Sequence, residues 1–94
     1  MIYLLVNAVV ETQDGSLPIA QALAVKDGLV VEVGGTDEIL WLREDDYELI
    51  DLQGQTVVPS GGMLAAGKPA NFHVVRCGRT VETWVQGVRR LVRP

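Results

Sequence analysis

The chain has 94 residues and a mass of 10.2 kDa, which leaves room for one hydrophobic core and not for two. Hydrophobic residues make up 48% and charged residues 21%, the balance of a globular chain and not of a disordered one. A net charge of −4 with a pI near 4.7 argues against nucleic acid as a partner. One cysteine excludes an intramolecular disulfide, and one histidine excludes any site this chain would build from several imidazoles.

Fifteen valines, set in short runs broken by Gly and Asp, predict strands. The first runs from Ile2 to Val10, and Glu11 to Gly15 form a loop with a turn signal. A second strand covers Gln21 to Lys26. Asp27-Gly28 then separates it from Leu29-Val30-Val31-Glu32-Val33, a strong hairpin signal because both residues tolerate the positive φ of a type I′ turn. Gly34-Gly35 ends the third strand. One helix follows, with Thr36 as its N-cap, Asp37 and Glu38 at the positive end of its dipole, and Ile39 to Arg43 supplying about two turns. Ile39, Leu40 and Leu42 are expected to face the core, and Trp41 to be exposed or to lie on the sheet rim. Glu44-Asp45-Asp46 reads as a solvated loop.

Glu48 to Leu52 and Gln55 to Val58 flank another turn at Gln53-Gly54, and Pro59 stops the latter strand. Ser60-Gly61-Gly62 has the composition of a linker. Asn71 to Arg76, Thr80 to Val85 and Val88 to Val92 are the remaining strands, turned at Gly78 and at Gln86-Gly87. About seven short strands with tight turns and one short helix predict a mainly β protein, a small β-sandwich or barrel. No fixed-period repeat appears.

The charge is uneven. Residues 1–60 hold eleven acidic and two basic side chains, a net −9, while residues 61–94 hold Glu82 alone against six basic ones, a net +5. Arg89, Arg90 and Arg93 lack neighbouring aromatics suited to base stacking, so the expectation is pairing of the two segments within one fold. The apolar run Ile2 to Val6 is too short for a signal-peptide core, no basic residue precedes it, and no stretch approaches a membrane span. A cytoplasmic protein is expected, with Cys77 a small half-buried side chain.

Several of these residues resemble a known family. Ala22 to Gly28 with Val30 to Gly34, and Glu48 to Pro59, resemble the opening of metal-dependent amidohydrolases. In that superfamily such runs form the strands just before the catalytic barrel. Gly62-Met63-Leu64-Ala65-Ala66-Gly67-Lys68-Pro69-Ala70-Asn71-Phe72 looks like the segment that re-enters the sandwich after the barrel. Val81-Glu82-Thr83-Trp84-Val85-Gln86-Gly87 looks like its final hairpin, in a form similar to the amidohydrolase family 3, D-aminoacylase and imidazolonepropionase-like branches. The resemblance implies the composite β-sandwich domain of a superfamily that hydrolyses C–N bonds of amides or cyclic amides.

After Pro59 the chain departs from the pattern. The family continues with Gly-Phe-Ile-Asp and a His-x-His metal pair; here Ser60-Gly61-Gly62 leads straight into the re-entry segment. The expected organisation is one β-sandwich domain, 1–94, built from 1–59 and 63–94 joined at 60–62. Two to three residues span at most about 10 Å, enough if the barrel is entered and left at neighbouring points. The superfamily's remaining His ligands and general-base Asp go with the barrel, so the chain alone is expected to be non-catalytic, with no metal and no cofactor. Asn71 stands where the family has Asp, a residue expected to stabilise a turn. His73, between Phe72 and Val74, is expected to face outward. Ser16, Ser60 and Cys77 are the nucleophile candidates; none lies in a Gly-x-Ser-x-Gly setting, and His73 is the one imidazole available as a base.

Two alternatives stand beside this reading. One is an unrelated small β binding module, such as a lipoyl-type carrier with Lys26 beside its hairpin, against which Lys26 reads as a solubilising edge-strand residue. The other is a non-catalytic subunit of a split amidohydrolase. In the first reading the sheet face that would meet the barrel is left uncovered, which implies a dimer or weak homo-oligomer through that face.

Overall fold

The computed structural model describes residues 1–92. Ten strands and one helix make two mixed sheets packed face to face, a mainly β sandwich as the sequence predicts. The strands are β1 (Ile2–Val6), β2 (Val9–Glu11), β3 (Ile19–Ala20), β4 (Ala22–Lys26), β5 (Leu29–Gly34), β6 (Tyr47–Asp51), β7 (Thr56–Pro59), β8 (Phe72–Arg76), β9 (Arg79–Val85) and β10 (Val88–Leu91), with α1 (Thr36–Leu40) between β5 and β6. The four-stranded sheet has the order β5-β4-β1-β6 and the six-stranded sheet the order β10-β9-β8-β7-β2-β3.

The first predicted strand is two strands. Asn7 adopts φ 55°, a left-handed conformation that asparagine tolerates better than most residues, and it sends the chain from one sheet to the other. The chain makes the same crossing twice more. Gln21 separates β3 from β4, and the 52–55 segment separates β6 from β7. Neighbours stay neighbours through the corner: β1 pairs parallel with β6 and antiparallel with β4, and β2 pairs parallel with β7 and antiparallel with β3. Backbone hydrogen bonds continue across it. Leu52 N–H donates to Val6 O at 2.9 Å, Gly54 N–H to Asn7 O at 2.7 Å, Val9 N–H to Gln55 O at 3.0 Å and Ala8 N–H to Gln21 O at 2.8 Å. The Gln53-Gly54 turn is therefore a passage between sheets, not a hairpin within one.

Three other turns are two-residue hairpins with both central residues at positive φ: Asp27-Gly28 (53°, 80°), Cys77-Gly78 (50°, 77°) and Gln86-Gly87 (47°, 78°). These are the primed geometries that match the twist of the flanking strands. Two of them meet at the opposite end of the sandwich, where Ala70 N–H donates to Gly28 O at 3.0 Å and Gly87 N–H to Ala70 O at 3.1 Å.

The main core lies between the sheets and contains Leu5, Leu23, Val25, Val30, Val57, Phe72, Val74 and Trp84, with Leu64 from the re-entry segment. A second cluster, Ile2, Leu4, Val6, Ala22, Ala24 and Ile39, lies on the other face of the four-stranded sheet, beneath α1. Leu40 and Leu42 pack against it as expected, while Trp41 points away and is 87% exposed. The helix starts one residue earlier than predicted. Gly35 is the N-cap, its N–H bonded by Glu38 Oε1 at 3.1 Å, and the helix spans Thr36–Leu40 instead of two turns to Arg43. Thr36 is drawn to another task, because its Oγ1 accepts the N–H of Asn7 at 3.1 Å and so steadies the corner. Among the described residues no helix is long and apolar enough to cross a membrane.

The two hairpin tips make a prediction. A methyl group at Gly87 would sit 2.8 Å from the Cα of Gly28, whereas one at Gly54 meets nothing within 4 Å although φ is +86° there. Gly54→Ala is expected to cost about 1 kcal/mol, from backbone strain alone. Gly87→Ala is expected to cost at least about 3 kcal/mol, because backbone must also move. Urea denaturation of the two variants beside the parent checks the ranking.

Candidate functional site

Glu82 is the one carboxylate among the described residues that is buried, with 8% of its surface exposed. Strand alternation puts Glu82 and Trp84, two residues apart on β9, on the same inward face. Trp84 Nε1 donates to Glu82 Oε1 at 3.1 Å. From the adjacent β10, Arg89 clasps the same carboxylate through two bonds, Nε to Oε1 and Nη2 to Oε2, each 2.9 Å. The Trp84 ring stacks on Phe72 with centroids 5.3 Å apart, and meets Tyr3 of the other sheet edge-on at 5.5 Å.

Burial pushes the Glu82 carboxyl upward in pKa. The Arg89 and Trp84 hydrogen bonds and the Arg89 charge outweigh it and leave the group below its usual value. The same pair raises Arg89 above its ordinary value, chiefly through the Glu82 hydrogen bond. Among the described residues no buried side-chain N or O atom is without a hydrogen-bond partner, and the arrangement holds β9 to β10 and anchors the stacked aromatics.

The other residues singled out by sequence are dispersed. His73 lies on the face of β8 opposite Phe72, half-buried, with Nδ1 3.0 Å from Thr83 Oγ1. Ser16 bonds Asp14 Oδ1 at 2.8 Å in the 12–18 loop, and Ser60 follows β7 with its N–H on Asn71 O at 3.2 Å. Cys77 is exposed at a hairpin tip and not half-buried as expected, since the positive-φ turn position points it away from the core. Neither serine nor Cys77 hydrogen-bonds His73. Lys26 is not on an edge strand, for β4 lies inside its sheet; it ends that strand and pairs with Glu44 at 2.9 Å. Asn71 fulfils its expected role, its Oδ1 accepting the N–H of Gln86 at 2.7 Å in the β9–β10 turn.

Segment pairing by charge is narrower than the composition suggests. Arg89 reaches Glu48 at 3.5 Å, the one ion pair among the described residues that joins the acidic and basic parts. Arg93 lies outside the described residues. Among the described residues no three His, Cys, Asp or Glu side chains come together in a group that could hold a metal ion. Sequence reading missed the Glu82–Trp84–Arg89 network, although the spacing of two between Glu82 and Trp84 was its available signal.

No model of a known protein family matches the chain. The exoenzymes regulatory protein AepA of Pectobacterium carotovorum subsp. carotovorum is 36% identical over 85 residues, a match covering 90% of this chain but 18% of that protein. A solved structural-genomics target from Bacillus thuringiensis is 35% identical with a TM-score of 0.57, over 64% of this chain and 80% of that one. Enamidase, described as a member of the amidohydrolase superfamily, is 31% identical with a TM-score of 0.50, over 63% of this chain and 16% of the enzyme. An uncharacterized metal-dependent hydrolase from Pyrococcus furiosus shares the fold, with a TM-score of 0.57 at 24% identity, over 64% of this chain and 13% of its own. The two mixed sheets thus share the fold of a small part of solved metal-dependent hydrolase chains. The chain resembles a small part of these metal-dependent hydrolase and amidohydrolase-superfamily chains, spanning 13% to 16% of their length.

The buried pair makes a prediction with a definite sign. Because the folded Glu82 is depressed below its ordinary value of 4.5, its stabilisation is fully present above that pH. It is lost as the pH falls through the lower, folded value. Arg89→Ala is expected to destabilise the fold by about 2 kcal/mol at neutral pH. Glu82→Gln is expected to flatten the loss of stability on acidification below about pH 4.5. Urea midpoints measured from pH 7 to pH 3 check both.

Proposed function

We propose that this chain is a non-catalytic sandwich whose role is structural, packing against other protein and not turning over substrate. The observation that carries the reading is the closure of the sheet where the superfamily inserts its barrel. The strands on either side of that point, β7 and β8, are direct neighbours from Thr56↔Val75 to Pro59↔Phe72. The intervening segment is laced to the N-terminal part: Leu64 N–H bonds Thr12 O, Gly67 N–H bonds Val30 O, and Val30 N–H bonds Lys68 O, each at 2.8 Å.

Two further facts support it. The match to the Bacillus thuringiensis chain takes up 80% of that chain, so a sandwich of this kind makes up most of another solved chain. The curated relative is called a regulatory protein of exoenzymes, a name that accords with a role other than hydrolysis, although this chain spans 18% of it. The hydrolysis of amide C–N bonds belongs, in this proposal, to barrel-bearing members of the superfamily.

The test is direct. The purified chain is incubated with N-acyl amino acids and cyclic amides in the presence of excess zinc or manganese. No release of product above the protein-free blank, with unchanged urea unfolding on adding chelator, is the expected outcome. Metal-dependent hydrolysis that purifies with the folded chain would overturn the proposal.

A further inference from the structure

The outer face of the six-stranded sheet is uncovered among the described residues, while the outer face of the four-stranded sheet is roofed by α1. Directly registered residues of a sheet share a face. One row across this face runs Glu11 on β2, Val58 on β7, His73 on β8, Thr83 on β9 and Arg90 on β10. The pairings Val58↔His73, His73↔Thr83 and Arg90↔Thr83 fix it, and Glu11 extends the β2–β7 register of Val10↔Val57 by one residue. Around the row stand Val9, Ile19, Val85, Val88 and Val92, all exposed, with Val88 at 56%. Such a patch on a small protein is a docking surface in waiting.

Its charges say what fits. Glu11 and Arg90 are both exposed, and each lies two strands from β8, about 10 Å to either side. We propose that two copies of this chain dock through this face, related by a twofold axis along β8. That rotation exchanges β2 with β10 and β7 with β9. It sets Glu11 of one copy opposite Arg90 of the other, twice, and brings Val58 to Thr83 and Val9 to Val92. His73 lies on the axis, and its Nδ1 is already satisfied by Thr83 within each copy. A face carrying its own complement at equal distances from one strand is complementary to itself, and that selects a second copy over another protein. The five strands that this axis superposes, of about five residues each, give a footprint of about 24 by 17 Å, about 410 Å² in projection. That places the dimer at the small, weak end of specific interfaces.

This inference rests on the reading of the chain as a packing domain, but it fails separately from it. Sedimentation equilibrium of the full chain is expected to show a monomer–dimer equilibrium. Glu11→Arg or Arg90→Glu each sets like charges at both contacts and is expected to weaken the dimer about tenfold or more. The double exchange, Glu11→Arg with Arg90→Glu, is expected to restore it to within about threefold of the parent. Both positions are exposed, so urea unfolding confirms that each variant is folded. A monomer at every concentration, a dimer indifferent to the single exchanges, or a double variant as weak as the singles overturns the proposal. Hydrolysis measured on the same samples keeps the two conclusions apart: loss of the dimer without hydrolysis removes this inference alone.

Discussion

Three passages of the chain cross between the two sheets at one corner, and the remainder of the fold is arranged around that crossing. Asn7, Gln21 and the 52–55 segment turn together, with β6, β1 and β4 on one side continuing as β7, β2 and β3 on the other. A strand that turns a corner alone would leave its backbone donors and acceptors unpaired, at a cost comparable to a lost hydrogen bond for each. Turning as a ribbon keeps them paired. The price is conformational, a left-handed backbone at Asn7 and at Gln53-Gly54, and residues suited to it stand there. Thr36 and Gln21 then tie the start of α1 to the same corner, through the N–H of Asn7 and the N–H of Thr36.

The far end of the sandwich is closed differently. The tips of the β4–β5 and β9–β10 hairpins approach until only glycine fits between them, and Ala70 bridges both by its backbone. Beside them, the Glu82–Arg89 pair and the Tyr3–Trp84–Phe72 stack hold the edge of the large sheet over the small one. A buried ion pair is weak evidence for net stability, since burial of its charges offsets much of its attraction. Its geometry here is bidentate, and a third Glu82 lone pair is taken by Trp84, so the cost of breaking it exceeds the benefit of having formed it. The residues that resemble the superfamily's last hairpin are therefore those that fasten the sandwich shut.

This chain spans 13% to 16% of the solved metal-dependent hydrolase and enamidase chains that share its fold. In this chain the strands that would flank a barrel are adjacent, and the connecting residues run along β5 as a backbone-bonded strap. That economy is possible because β7 ends beside the start of β8, at the same end of two neighbouring strands. Closing a short connection there costs little entropy, since loop closure grows only with the logarithm of length.

The strands, most of the hairpins and the likeness to amidohydrolases were legible in the sequence. Valine runs, Asp-Gly and Gly-rich turns act through local sterics, which need no knowledge of distant residues. The exclusion of a site built from several imidazoles was also legible, because one histidine is a count and not a geometry. Tertiary structure decided what those pieces were for. Asn7 looked like part of a strand because its neighbours are apolar, and only the second sheet gave the chain a reason to turn there. Gln53-Gly54 carries the same local signal as Gln86-Gly87, yet one passes between sheets and the other makes a hairpin, depending on which strands lie alongside. Thr36 is a better N-cap than Gly35 by its chemistry, but the unpaired N–H of Asn7 claimed its hydroxyl. Charge gave a segregation between the two parts, and the fold used a single Arg89–Glu48 contact of it, because ion pairs need side chains within a few ångströms and composition fixes no distances.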